Sequence, residues 1–148
     1  MVISMEFRLQ KVRENNELSQ KEIADILKVS QPTYSRWEKG VEVIPLKKLI
    51  LFAKYFHLTL DYLCNLSNTN KVAKYEYKIN KEISGHNILS FRQNNNITQK
   101  ELAIFLNTTP STICAYEKGK TLILTSFAYQ ICKKYNTSMD YICGLIEK

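Results

Sequence analysis

Four glycines and three prolines in 148 residues exclude a collagen-like or low-complexity chain, and 45% hydrophobic with 24% charged residues is ordinary for a soluble globular protein. Long apolar runs are missing too. No window approaches twenty apolar residues, and Met1-Val2-Ile3-Ser4-Met5-Glu6 lacks a basic stretch followed by an apolar one. Neither a membrane span nor a secretory leader is expected, so the protein should be cytoplasmic, with no membrane partner. The four cysteines, Cys64, Cys114, Cys132 and Cys143, form no Cys-x-x-Cys, and only His57 and His86 are available beside them. A zinc site is not expected, and in a reducing compartment the four read as buried thiols. There is no glycine-rich phosphate loop and neither histidine has a partner at a motif spacing, so no catalytic set, metal or cofactor is assigned.

Charge is what the chain does have. Lys and Arg number 21 against 14 acids, a net charge of +7 and a pI near 9.2, which suits a polyanionic partner without requiring one. The excess is spread, +2 over residues 1–70, +2 over 71–85 and +3 over 86–148. Folded surfaces rather than a basic tail must therefore present it.

An internal repeat fixes the architecture. A shift of 79 lays Ser19-Gln20-Lys21-Glu22-Ile23-Ala24 over Thr98-Gln99-Lys100-Glu101-Leu102-Ala103, and Glu38-Lys39-Gly40 over Glu117-Lys118-Gly119. It also lays Leu60-Asp61-Tyr62-Leu63-Cys64 over Met139-Asp140-Tyr141-Ile142-Cys143, and no gap is needed. More than a quarter of the positions in 7–66 are identical to their counterparts in 86–145, several times what composition alone would produce. Two modules of about sixty residues follow: an N-terminal domain over 1–66, a linker over 67–85 and a C-terminal domain over 86–148. The linker starts polar and then alternates through Lys74-Tyr75-Glu76-Tyr77-Lys78-Ile79, a strand-like rhythm too short to fold alone.

Each module reads as five short helices. The first begins after Ser4 with Phe7, Leu9 and Val12 inward, and its counterpart begins near Ser84 with Ile88, Leu89 and Phe91 inward. Ser19-x-x-Glu22 and Thr98-x-x-Glu101 are capping boxes opening the second helix. A third helix follows at once, capped by Ser30 or Thr109, with Pro32 or Pro110 in its first turn and Gly40 or Gly119 after its end. Leu49, Phe52, Ala53 and Phe56 recur at helical spacing in the fourth, matched by Ala128, Ile131, Cys132 and Tyr135; Thr59 and Ser138 cap the last. Tyr34 and Trp37 align with Ile113 and Tyr116, an exchange of aromatic for aliphatic at spacing three that marks a packed face.

Two consecutive helices with so short a connection, the second polar on one face, describe a helix-turn-helix, whose second helix fits the major groove of B-DNA. With Ser30-Gln31-Pro32-Thr33-Tyr34-Ser35-Arg36-Trp37-Glu38-Lys39-Gly40 and Ser111-Thr112-Ile113-Cys114-Ala115-Tyr116-Glu117-Lys118-Gly119, both copies resemble the Cro and phage-repressor family, also called the xenobiotic-response-element family of bacterial regulators. The resemblance implies an all-α fold of two tandem five-helix lambda-repressor-like domains, with the second helix crossing the phosphate backbone and the third reading bases. It implies further that Gln20 and Gln99 hold a phosphate at a helix N-terminus. Gln31, Pro32, Ser35 and Arg36 then face base edges, Arg36 donating twice to guanine, Gln31 pairing with adenine and Pro32 touching only a thymine methyl. Lys39 falls to a phosphate, and Lys21, Ser30 and Thr33 complete the first set. The family also joins the positions of Arg13 and Glu38, and of Arg92 and Glu117, by an ion pair with a structural role.

The copies are not equivalent readers. Pro110, Ser111, Cys114 and Ala115 stand in place of Gln31, Pro32, Ser35 and Arg36, so every bidentate side chain is gone from the second copy. Phosphate contacts through Gln99, Lys100, Thr109, Lys118 and Lys120, dimerisation, or a protein partner are the roles left to it, with Ser111 and Thr112 completing its DNA-binding set. The leading expectation is a repressor-type transcriptional regulator bound to double-stranded DNA. The alternative is a protein-interaction module, an antitoxin, inhibitor or phage antagonist, docking through the second copy and the aromatic linker at Tyr75 and Tyr77. RNA binding ranks below both, because the A-form major groove excludes a helix.

Overall fold

A computed structural model of the chain describes residues 5–71 and 76–147. Every regular element among them is a helix: α1 Leu9–Asn15, α2 Gln20–Leu27, α3 Gln31–Glu38, α4 Leu46–Phe56, α5 Leu60–Leu63, α6 Lys81–Asn94, α7 Gln99–Leu106, α8 Pro110–Glu117, α9 Thr125–Tyr135 and α10 Met139–Ile142. They fall into two compact units, Met1–Ala73 and Lys74–Lys148, each with five helices in the same order. No helix among the described residues is long and apolar enough to cross a membrane.

The local signals account for the helix starts. Ser19 accepts from the Glu22 N–H at 3.1 Å while the Glu22 carboxylate accepts from the Ser19 N–H at 3.1 Å, and Thr98 and Glu101 repeat the exchange at 3.0 Å each. Lys28 and Asn107 end α2 and α7 in the left-handed region, at φ +60° and +57°. The chain therefore turns sharply enough for Ser30 and Thr109 to cap the next helix only three residues on. Gly40 and Gly119, at φ +75° and +70°, supply the left-handed residue after α3 and α8 that a side chain rarely adopts.

In the first unit Leu9, Val12, Ile23, Ala24, Leu27, Tyr34, Trp37, Leu49, Phe52, Leu60 and Leu63 are buried, so every helix gives its apolar face to one core. Tyr34 and Trp37 meet edge to face with ring centres 6.3 Å apart. The second unit buries Ile88, Phe91, Leu102, Leu106, Ile113, Tyr116, Ala128, Ile131, Met139 and Ile142 at the matching positions.

Three expectations need correction. First, α1 begins at Leu9 rather than after Ser4, so Phe7 lies outside it and is half-buried; Arg8 precedes it with no side-chain cap. Second, α6 begins at Lys81, inside the stretch read as linker and three residues ahead of Ser84. Asn80 caps it, accepting from the Ile83 N–H at 2.9 Å, and its early turns are bonded to the far end of the unit: Ser84 Oγ donates to the Ile142 carbonyl at 2.8 Å, and Asn87 Nδ2 to those of Tyr141 and Ile146 at 2.7 and 2.8 Å. Third, Cys114 is half-buried while Cys64, Cys132 and Cys143 are buried. The strand-like rhythm lies partly outside the described residues, Lys74 and Tyr75 among them, and residues 76–79 form no strand.

The two units seal the same end differently. Where the second has Asn87, the first has Arg8, whose guanidinium donates to the Ser67 carbonyl, Asn65 and Asn68 and lies 4.1 Å from the centre of the Tyr62 ring. Where the first has Glu6, the second has Gly85, packed so closely on α8 that a Cβ would stand 2.3 Å from the Tyr116 carbonyl oxygen and 2.8 Å from that of Glu117. Gly85→Ala is therefore expected to destabilise the second unit by about 1–3 kcal/mol, an overpacking cost against backbone that cannot yield. The check is urea unfolding followed by near-ultraviolet circular dichroism.

Candidate nucleic-acid interface

In each unit the third helix is fixed from behind by a buried carboxylate. Glu38 at the end of α3 accepts from Arg13 Nε at 2.6 Å and Nη2 at 3.1 Å, with only 2% of its side chain exposed. Arg13 Nη1 donates to the Leu18 carbonyl at 3.0 Å, so one guanidinium spans α1, the turn before α2 and the end of α3. Arg92 repeats this with Glu117, at 2.7 and 3.1 Å, and with the Ile97 carbonyl at 3.0 Å. The ion pairs expected at these positions are both present. Burial pushes the Glu38 carboxyl up, but the hydrogen bond from Arg13, the neighbouring Tyr34 hydroxyl and Gln20 outweigh it, and the group ends below its ordinary value.

The first residue of α2 joins the same carboxylate. Gln20 Nε2 donates to Glu38 Oε1 at 3.0 Å, and Gln20 Oε1 accepts from Gln31 Nε2 at 2.7 Å. A relay therefore runs from a buried ion pair to the first residue of the third helix. In the second unit Gln99 Nε2 reaches Glu117 at 2.9 Å, but the relay ends there because Pro110 occupies the place of Gln31. Lys48 Nζ, from α4, donates to the Leu27 carbonyl at 2.8 Å and steadies the turn between α2 and α3.

With Tyr34 and Trp37 turned inward, the opposite face of α3 carries Gln31 and Pro32 exposed, Thr33, Ser35 and Arg36 partly exposed, and Lys39 exposed just beyond. Ser30 and Thr33 also cap the helix, the Thr33 N–H donating to Ser30 Oγ at 3.2 Å. Lys21 lies on the exposed side of α2, 3.9 Å from Asp25 in a fully solvated pair of little energetic consequence. Within the first set, hydrogen bonds bring Gln20 to Gln31 and join Ser30, Thr33 and Arg36. Sequence reasoning missed Glu42, whose Oε1 accepts from Arg36 Nε at 2.9 Å; its signal was an opposite charge six residues after an arginine.

The corresponding face of the second unit is a shallow depression of about 310 Å³ lined by Gln99, Pro110, Ser111, Cys114, Ala115, Lys118 and Lys120. Lys100 and Thr109 are exposed on its flanks, and Thr109 caps α8 by accepting from the Thr112 N–H at 3.3 Å. The floor of the depression offers small, neutral side chains, and Lys118 and Lys120 line it beyond the end of α8. Among the described residues no three His, Cys, Asp or Glu converge as metal ligands would.

The profile of the Helix-turn-helix family matches the chain twice, over residues 9–63 and 88–142. The HTH-type transcriptional activator BcrR of Enterococcus faecalis is 33% identical over 89 residues, covering 51% of this chain and 44% of that protein. The chain thus spans less than half the length of that curated relative. The crystal structure of the clp gene regulator ClgR from Corynebacterium glutamicum is similar at 22% identity with a TM-score of 0.39, over 42% of this chain and 66% of that one.

Two outcomes follow for the buried pair. Arg13→Ala strands the Glu38 carboxylate and is expected to cost about 3 kcal/mol or more in urea unfolding at neutral pH. Because the folded pKa of Glu38 lies below its reference value of 4.5, its stabilisation is complete above that value and is lost as pH falls through the folded pKa. Glu38→Gln should therefore lie well below wild type in stability at pH 7, and the gap should narrow as the pH is lowered from 4.5 towards 3. A gap that stays constant over that range would contradict the assignment.

Proposed function

This chain belongs to the Helix-turn-helix family, in two tandem copies, and from that premise we propose that it is a transcriptional regulator binding double-stranded DNA in a sequence-specific manner, with α3 in the major groove. The observation that carries the reading is the two-sided character of α3: Tyr34 and Trp37 buried, Gln31, Pro32, Ser35 and Arg36 facing outward, and the helix pair locked from behind by Glu38. The major groove is about 12 Å wide and accepts one helix presenting such a ridge. Arg36 donates to guanine O6 and N7, Gln31 uses its carbonyl and second amide hydrogen on adenine, and Pro32 meets a thymine methyl. Lys21, Lys39 and the N-terminus of α2 at Gln20 take phosphates, with the Ser30 and Thr33 hydroxyls beside them, while Ser35 faces a base edge.

The second copy supplies affinity more than choice. Its α8 offers no bidentate donor, and each good bidentate contact is worth about 1–3 kcal/mol of discrimination. Gln99, Lys100, Thr109, Lys118 and Lys120 contribute sequence-independent contacts to phosphate, with Ser111 and Thr112 beside them against the duplex. The protein acts as a binding protein without cofactor or metal rather than as an enzyme. It works where DNA is, in the cytoplasm, by occupying an operator and so excluding polymerase. The activator title of the Enterococcus faecalis relative supplies the opposite sign, and a promoter–reporter fusion separates the two. Third helices on adjacent half-sites would lie about 34 Å apart, whether both belong to one chain or one to each member of a homodimer.

A second reading draws on the depression on α8. A face of proline, serine, cysteine and alanine ringed by lysines suits an acidic protein partner as well as a phosphate backbone, which keeps the antitoxin, inhibitor or antagonist role in view. A stoichiometric protein retained through purification after nuclease treatment would favour it.

Selection of bound duplexes from a random pool tests the main reading. Wild type should enrich one half-site containing guanine, Arg36→Ala should lose preference at that base with a penalty of about 1–3 kcal/mol, and Ala115→Arg should add a preference. Affinity for the enriched duplex should fall at least about 100-fold between 50 and 200 mM salt. Enrichment of nothing, or affinity indifferent to salt, would overturn the reading.

A further inference from the structure

Arg36 is held by its surroundings. Its carbonyl accepts from the Val41 and Glu42 N–H groups at 3.0 and 3.4 Å, a closure that returns residue 42 to the last turn of α3. From there Glu42 Oε1 accepts from Arg36 Nε at 2.9 Å, and Nη2 donates to Thr33 Oγ1 at 3.3 Å. That hydroxyl is itself 2.7 Å from Ser30 Oγ. Nε and one Nη2 hydrogen are therefore engaged within the protein, while both Nη1 hydrogens and the other on Nη2 remain for a base edge. The side chains stay 43% and 51% exposed, so the pair adds little to folding.

The second copy acts as an internal control. It keeps the backbone closure, the Lys120 N–H donating to the Ala115 carbonyl at 3.0 Å, yet Ala115 stands in place of Arg36 and Thr121 in place of Glu42. The acid is present where the arginine is and absent where the arginine is absent. An isolated carboxylate on a phosphate-facing surface opposes binding to any duplex, so its presence calls for a compensating effect on the arginine.

We propose that Glu42 is a positioning residue that sets base choice through Arg36. It holds the guanidinium with one edge presented outward, which lowers the ordering cost of a long side chain when a base is met. Its charge also disfavours the competing arrangement, Arg36 resting on a phosphate, because the carboxylate would then lie against that phosphate. The inference depends on the reading of α3 as the base-contacting helix.

The test compares wild type, Glu42→Ala, Arg36→Ala and the double variant, each as the full chain, on the selected duplex and on a scrambled duplex of the same length, by fluorescence anisotropy across a salt series. For Glu42→Ala the scrambled duplex should be bound several-fold more tightly with a salt slope steeper by about one unit, and the ratio of selected to scrambled affinity should fall about tenfold. In the Arg36→Ala background the same change should leave that ratio unmoved, since the two act as one unit. The melting temperature of Glu42→Ala should match wild type. An equal gain on both duplexes, or an equal loss of ratio with and without Arg36, would show a general electrostatic effect and overturn the inference while leaving base reading by α3 intact. Wild type that binds every duplex alike, or none, would remove the base-reading helix and this role with it.

Discussion

One carboxylate in each half of the molecule fixes how the third helix sits against the first two. Glu38 is taken out of water at the end of α3, and a buried unpaired charge would cost several kcal/mol. Arg13 answers it from α1 and Gln20 from α2, so satisfying a single group fixes the mutual orientation of three helices. The hydrophobic core alone would tolerate small rotations of α3, because apolar contact has no direction. Bidentate geometry does have direction. Glu117, Arg92 and Gln99 repeat the arrangement, so both copies keep the frame even though their outer faces have diverged.

That divergence separates two properties that a DNA-binding surface usually combines. Phosphate contacts need only positive charge and hydrogen-bond donors, and both units supply them. Base discrimination needs two donors or acceptors at fixed spacing, and only the first unit has side chains of that kind on its third helix. Replacing Gln31 by Pro110 ends the hydrogen-bonded relay at its last member, and replacing Arg36 by Ala115 removes the fork. Neither change touches Tyr116 or Ile113, which are buried, so the outer face of the second unit differs from that of the first without a change of fold.

What the sequence disclosed follows the range of the forces involved. Capping boxes, the left-handed glycines and the buried stripe of α4 depend on neighbours within four residues or on a helical period, and the chain carries them openly at Ser19, Gly40 and Leu49. The Arg13–Glu38 pair spans 25 positions and was legible only through resemblance to a family. The early start of α6 has a local cap in Asn80, but the bonds that hold its early turns are distant and were hidden, Ser84 and Asn87 reaching carbonyls more than fifty residues away. The absence of those two side chains from the first copy, where Arg8 seals the tail instead, explains why α1 stays at half the length of its counterpart. Candidate groups on α2 and α3 were named by type and place, but their engagement with one another was not visible. Gln20 to Gln31 and Arg36 to Glu42 are contacts between side chains whose rotamers no periodic pattern specifies.

Those internal contacts bear on how a basic surface becomes selective. A lysine ringed by water exchanges one partner for a phosphate at little cost, and it does so on any sequence. Arg36 and Gln31 already spend donors within the protein, so on the proposed reading a partner that draws those same donors away forfeits bonds made in the free state, whereas one that meets only the remaining donors in the held geometry forfeits none. Discrimination in such a design arises from what the wrong partner must break as much as from what the right one adds. A unit lacking those internal bonds, as α8 does at Pro110 and Ala115, presents nothing to be broken, and its affinity should therefore be largely indifferent to sequence.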